Sequence, residues 1–333
     1  ISNKNYQKKI IMKNIFTLLL ASFSLVVFAQ DEPTLSISGT VDGYYQTNIT
    51  SSDDVGDSFG TSFADETGFA LGMANMVASY DMGSTGVVAD MVFGPRGDAA
   101  VGGYNLNQLY AYWNVTDETT LTMGRFNTYL GYEVISPAGN FNYSTSYMFS
   151  NGPFSMVGLK GDFSLGETSL MLAVMNPTDV NNNTTGGYAL GAQVGYAGQF
   201  LNLYYDNDEV LGFEVDYTGG FDLADDFFVG INAAYQVSND AGFYGVALYP
   251  QLTTSDSFSV GLRGELFGFH DDSDEDLPSV LSTTLTGSYT VENLTIKPEI
   301  RLDSWTDDEP YFDNDALASD SLAAFTLAAI YSF

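Results

Sequence analysis

The 333-residue sequence contains no cysteine, so disulfides, thiolate metal sites and cysteine nucleophiles are excluded. It has one histidine, His270, in the run His270-Asp271-Asp272-Ser273. A nucleophile–base–acid arrangement needs groups held by separate rigid elements at hydrogen-bond distance, which adjacent residues do not supply. The closely spaced His and Ser of outer-membrane phospholipases are also missing, so no enzyme is expected and no cofactor is implied. Positive charge is scarce: 10 Lys and Arg stand against 42 Asp and Glu. Residues 1–29 hold four of those lysines and no acid, leaving six cations and a net charge of −36 beyond them. Nucleic-acid binding depends on clustered Lys and Arg, so that class of partner is excluded. Proline is sparse as well, with nine in the chain.

One stretch is continuously apolar or small. Lys13 and Asn14 follow Met12, the run Ile15 to Phe28 comes next, and Val27-Phe28-Ala29 precedes the polar Gln30-Asp31-Glu32. A short basic region, an apolar core and a small-residue cleavage site predict a secretory signal peptide over 12–29. Residues 1–11 are expected to be an upstream extension and 30–333 the mature domain, beginning at Gln30. Beyond Phe28 no apolar run reaches the roughly 17–25 residues of a membrane helix. What remains is rich in 22 Tyr, 24 Phe and 34 Gly, a composition that suits a transmembrane barrel.

The dominant pattern is alternation with period two, which assigns successive side chains to opposite faces of a strand. Leu294, Ile296, Pro298, Ile300 and Leu302 share one parity; Thr295, Lys297, Glu299, Arg301 and Asp303 share the other. Strands are expected at about 34–49, 66–81, 85–97, 104–116, 119–129, 150–165, 168–176 and 187–198. They continue at about 199–206, 210–218, 226–237, 240–250, 256–267, 280–290, 293–304 and 321–333. This predicts an all-β fold, a transmembrane antiparallel up-and-down barrel of about 16 strands. Pro298 lacks a ladder donor and requires a bulge or a weakly paired position.

Loop lengths carry the topology. Links at 82–84, 116–118, 166–167, 253–255 and 292 are short; those at 50–65, 130–149, 177–186, 268–279 and 305–320 are long. With the N-terminus in the periplasm, the short links fall there and the long ones outside, the asymmetry of outer-membrane barrels. The links 219–225 and 238–239 run against the rule. Phe325, Leu327, Ala329, Tyr331 and the terminal Phe333 alternate on one face. Tyr331 and Phe333 are therefore read as a membrane-assembly signal for barrel-assembly machinery.

If the apolar parity faces lipid, the charged parity faces the lumen. It holds Arg96, Lys160, Arg263, Lys297 and Arg301 with Asp42, Asp90, Asp162, Glu214, Asp216, Glu265, Glu299 and Asp303. A charge facing lipid costs about 2–4 kcal/mol at the bilayer midplane, a cost this sorting avoids. Arg125 shares the parity of Leu121 and Met123, so a bulge or an interfacial position is expected there. Acids in excess predict a cation-preferring pore. The aromatic-rich stretch Tyr129 to Phe149 carries one charge, Glu133, and is expected to fold inward as a constriction; Asn140 and Tyr143 lie within it.

Short motifs carry a resemblance. Gly124-Arg125-Phe126 followed by Gly131-Tyr132-Glu133, then Asn140 to Phe149, Pro153-Phe154 with Gly158, and Asn107 to Tyr112 resemble the putative β-barrel porin-2 (OmpL-like) family. The likeness spans about residues 35–165. It implies a general porin, with Arg125 and Glu133 in the pore region.

Asp271, Asp272, Asp274, Glu275 and Asp276, and also Asp307, Asp308, Glu309, Asp313 and Asp315, could offer oxygens to Ca²⁺, but EF-hand spacing is absent. Nonspecific divalent cations bridging to lipopolysaccharide are the expected role. The sequence thus predicts an outer-membrane porin for passive diffusion of small hydrophilic solutes, embedded in outer-membrane lipid, with a homotrimer as one possible assembly. The rivals are a non-conducting barrel serving as scaffold or surface-binding protein, and a substrate-selective transporter using Lys160, Arg263, Lys297 or Arg301.

Overall fold

The structure, a computed structural model, describes residues 33–51, 57–273 and 277–333. The expected extension and signal peptide, and Asp274, Glu275 and Asp276, lie outside the described residues. Among those residues no helix is long and apolar enough to cross a membrane.

Alternation translates directly into strands: β1 Thr34–Asn48, β2 Gly68–Asp81, β3 Thr85–Phe93, β4 Leu106–Thr116, β5 Thr119–Asn127, β6 Ser155–Leu165, β7 Thr168–Met175 and β8 Ala189–Tyr196. Then come β9 Gln199–Tyr205, β10 Phe213–Ala224, β11 Phe227–Ser238, β12 Ala241–Thr253, β13 Phe258–His270, β14 Ser279–Val291 and β15 Leu294–Thr306. A two-stranded outer hairpin, β16 Tyr311–Phe312 and β17 Ala318–Ser319, precedes the closing strand β18 Ser321–Ser332.

Sixteen strands form one closed antiparallel barrel in chain order, sealed by β1 against β18. Closure leaves no unpaired edge, which a bilayer without hydrogen-bonding water demands. On β15 the two parities separate cleanly: Ile300 and Leu302 are about half exposed on the lipid side, while Arg301 and Asp303 are buried inside.

The prolines sit where a ladder lapses. Pro298 pairs opposite Leu327 on β18, while pairing with β14 skips from Glu299 to Ile296. Pro250 likewise falls in the break between Leu248 and Gln251 in the β12–β13 ladder. In both cases the missing N–H faces a neighbour that is not paired at that point.

Several element boundaries differ from the sequence expectation. β3 ends at Phe93, and a helical turn Pro95–Val101 follows, with proline in the first turn where its missing donor costs nothing. β6 starts at Ser155 because a short helix, Tyr147–Asn151, capped by the Ser146 hydroxyl, takes the residues before it. β10 runs on to Ala224, so the expected link 219–225 shrinks to Asp225 and Asp226. The periplasmic turns are then uniformly short, and only the outer link at 239–240 departs from the asymmetry.

Candidate functional site: the lumen and its inward segment

The inner face is built by the charged parity and by one long connection. The β5–β6 connection, residues 128–154, packs against the inner wall, with Tyr143, Tyr147 and Met148 all buried. Close approach is permitted by small residues beneath it. A Cβ on Gly261 would meet the Phe141 ring at 2.5 Å, and one on Gly245 would meet the Met148 side chain at 2.6 Å.

Each buried charge on the β13–β15–β1 side meets this segment. Arg263 Nη1 lies 2.7 Å from Glu133 Oε1 and donates at 2.7 Å to the Ser144 carbonyl. Glu265 accepts the Tyr147 and Met148 amides at 2.9 and 2.8 Å. Glu299 accepts the Tyr143 and Ser144 amides at 2.8 and 3.1 Å, together with the Ser144 hydroxyl. Lys297 donates to the carbonyls of Pro137, at 3.2 Å, and of Asn140. Arg301 pairs with Asp303 at 2.8 Å and donates to the Thr145 carbonyl at 3.0 Å. Asp42 accepts the Tyr143 hydroxyl at 2.5 Å and Arg96 stands 3.9 Å away. Burial pushes the Tyr143 and Tyr147 phenols up, keeping both as neutral donors, to Asp42 and Asp303 respectively.

Asp42 also explains a local irregularity. It lies where the β1–β2 register shifts, and its Oδ1 accepts the Met73 amide at 2.9 Å. Gly72 has no side chain because a Cβ there would overlap the Asp42 carboxylate.

The other inner-parity charges stand apart. Lys160 and Asp162 pair at 2.8 Å on β6, with side chains 25% and 42% exposed, the only such ion pair among the described residues not enclosed. Asp90 is bonded by the Asn75 and Asn107 amides at 3.2 and 2.6 Å. Glu214 and Asp216 lie buried on β10. Arg96, expected on a strand, is instead on the helical turn after β3; its guanidinium still reaches inward, donating to the Tyr143 carbonyl at 3.0 Å and lying over the Phe63 ring at 4.6 Å.

A family model described as putative beta-barrel porin-2, OmpL-like, matches residues 34–333. The chain belongs to this family. It is an integral β-barrel of the bacterial outer membrane, of porin type. Solved structures share the fold at low identity. The outer membrane channel DcaP of Acinetobacter baumannii is 15% identical, with TM-score 0.61, 93% of this chain and 100% of that chain covered. The anion-selective porin from Comamonas acidovorans is 11% identical, with TM-score 0.58 and 91% and 100% covered. The trimer form of OmpT from Vibrio cholerae is 10% identical, with TM-score 0.53 and 91% and 100% covered. No curated protein matches the sequence.

In this porin-2 barrel, Arg125 and Glu133 do not come together. Arg125 follows Gly124, which has a φ of +138° and lies where a Cβ would strike the Leu109 carbonyl. Its guanidinium donates to the Asn107 carbonyl at 3.0 Å and to the Asn181 side chain of the β7–β8 connection. Arg125 thus ties β5 to the β7–β8 connection, and the ladders on both sides of β5 run through it without a bulge. Asn140 bonds both the amide and carbonyl of Val134, closing the inward segment on itself. Phe333 exchanges backbone bonds with Gly39 at 2.9 and 3.0 Å, and Tyr331 pairs opposite Val41 on the lipid side.

Sequence reasoning missed Tyr147. Its hydroxyl meets Asp303 at 2.7 Å and the Phe59 carbonyl at 2.8 Å, joining segment, wall and first outer loop. The Ser146 cap before an aromatic run was the available signal.

Proposed function

We propose that this porin is a water-filled channel for passive diffusion of small hydrophilic solutes, narrowed by the segment 128–154 and preferring cations. The observation that carries the reading is how the inner charges divide. Arg96, Arg263 and Arg301 are enclosed beside acids and Lys297 is enclosed by carbonyls of the inward segment, whereas Lys160 and Asp162 remain open to the lumen. The enclosed cations contribute little field to a passing ion, because each faces an acid or several carbonyls at contact distance. The residues beyond 29 carry a net charge of −36, and a field of that sign favours cations. The Comamonas acidovorans neighbour is described as anion-selective, and the charge balance here points the other way. A homotrimer is proposed by analogy of fold with the Vibrio cholerae trimer. Lipopolysaccharide contact and loosely held divalent ions are assigned to the acidic outer loops.

A second reading has support from the same burial. Arg263, Glu265 and Asp303 have no exposed surface, as in a plugged barrel acting as scaffold. Swelling of proteoliposomes in isotonic sugars of graded size separates the two. Swelling that falls with solute size supports the channel; liposomes that do not swell despite folded, inserted protein support the plug.

A further inference from the structure

Strand β13 breaks its own sorting of side chains at its outer end. Leu262 and Leu266 are exposed on the lipid side, while Arg263, Glu265 and Phe267 are buried on the inner face. Phe269 has the inner parity, pairs opposite Phe243 of β12 and packs edge-on against Phe267 at 5.1 Å, yet it is 40% exposed. Its ring therefore meets the water of the outer mouth, not lipid. It forms one wall of a recess of about 480 Å³, shared with Phe243, with Val210 and Leu211 of the β9–β10 connection, and with Asn151 at the end of the inward segment. That volume suits a small organic molecule. Val210, half exposed, is a second apolar side chain left uncovered there.

The polar groups of the recess turn their nitrogens to the protein. The Gln236 side-chain amide donates to the Leu211 carbonyl at 2.6 Å, and the Asn151 side-chain amide to the Tyr147 carbonyl at 2.9 Å. His270 Nε2 donates to the Gln236 carbonyl at 2.8 Å. The oxygens of the Gln236 and Asn151 side chains have no protein partner among the described residues, and each can accept. Asp271 also lines the recess, and no Lys or Arg does. In the adjoining outer turns, Asp208 accepts the Asn239 amide at 3.2 Å, with Asp240 next in the chain. The recess thus combines uncovered apolar rings with acceptors and negative charge. A ligand that answers both carries an apolar body and a positively charged donor.

We propose that this recess binds small organic ammonium ions. The flat apolar body lies against Phe269, Phe243 and Val210, and the ammonium donates to the oxygens of Gln236, Asn151 and Asp271. The site belongs to the outer mouth and stands whether or not the barrel conducts.

The test is calorimetric titration of the barrel inserted in lipid nanodiscs, with the heat of empty nanodiscs subtracted. The probe is phenethylammonium, and phenylacetate offers the same ring with the opposite charge. The expected result is saturable binding of phenethylammonium, at least tenfold weaker for phenylacetate and at least tenfold weaker in Phe269→Ala. An outer-loop control, Asp308→Asn/Asp313→Asn, should bind as the unaltered protein does. Absence of saturable binding, equal binding of the two probes, or full binding by Phe269→Ala overturns the site. If Phe269→Ala does not fold, Val210→Trp decides, because it fills the recess from an exposed connection: loss of binding supports the site, and undiminished binding overturns it.

Discussion

Arg263 on β13 and Glu133 in the β5–β6 connection, 130 positions apart in sequence, form a 2.7 Å ion pair with both side chains almost fully enclosed. This pair joins the part of the chain that crosses the lumen to the wall that surrounds it. Removing one partner leaves an uncompensated buried charge, worth about 3–5 kcal/mol. Glu133→Gln is therefore expected to lower unfolding stability in urea by roughly that amount. Replacing both partners with apolar residues, Glu133→Leu with Arg263→Met, is expected to cost less than the single change. Equal or additive losses would show that the charges are not coupled.

The Tyr143 hydroxyl of the inward segment donates to Asp42 on β1 at 2.5 Å. Tyr143→Phe keeps the ring but leaves Asp42 short of a donor, at a cost of about 1–3 kcal/mol. Because the pair is buried, raising salt from 0.1 to roughly 1 M should not change that cost appreciably. Denaturant titrations at both salt concentrations check this.

Lys160 and Asp162 behave differently because they are partly solvated. Neither Lys160→Gln nor Asp162→Asn is expected to shift stability by more than about 1 kcal/mol. Lys160→Gln should move the zero-current potential toward greater cation preference, Asp162→Asn away from it, with both shifts shrinking as salt rises. Unchanged potentials in both variants would remove this pair from the ion path.

Phe333 supplies the last rungs of the seam through its bonds with Gly39. Deleting Phe333 is expected to reduce the amount of barrel assembled in cells several-fold, while refolding in detergent loses only the edge bonds, about 1–3 kcal/mol. Heat-modifiability on gels, run on cell envelopes and on refolded protein, measures both. Equal losses in the two settings would remove the assembly role of the terminal aromatic.

Much of this fold was legible because a barrel repeats a local rule. Period two and loop asymmetry are written in neighbouring residues, so the sixteen barrel strands and the inner parity of Arg263, Glu265, Arg301 and Asp303 could be read directly. The rule fails where alternation is diluted. Gly219-Gly220 looks like a turn, yet the strand continues to Ala224, because paired glycines across from Ile231 and Gly230 keep the ladder without supplying a pattern. The helical turn at Pro95–Val101 and the hairpin of β16 and β17 are likewise too short to impose a period. At the site, parity indicates which charges point inward but not which group meets each one. The pairing of Arg263 with Glu133 and of Glu299 with the Tyr143 amide is made by the return of a distant connection across the lumen. The aromatic content of residues 129–149 signals that they turn inward, but no local pattern says which wall residues they meet.

The most direct test of the channel is planar-bilayer conductance of the refolded barrel in a salt gradient, with and without residues 132–146. The account predicts stable ohmic steps, a zero-current potential of cation-preferring sign, and larger steps once the segment is removed. A folded, inserted barrel that gives no steps, or whose steps are unchanged by the deletion, would contradict it.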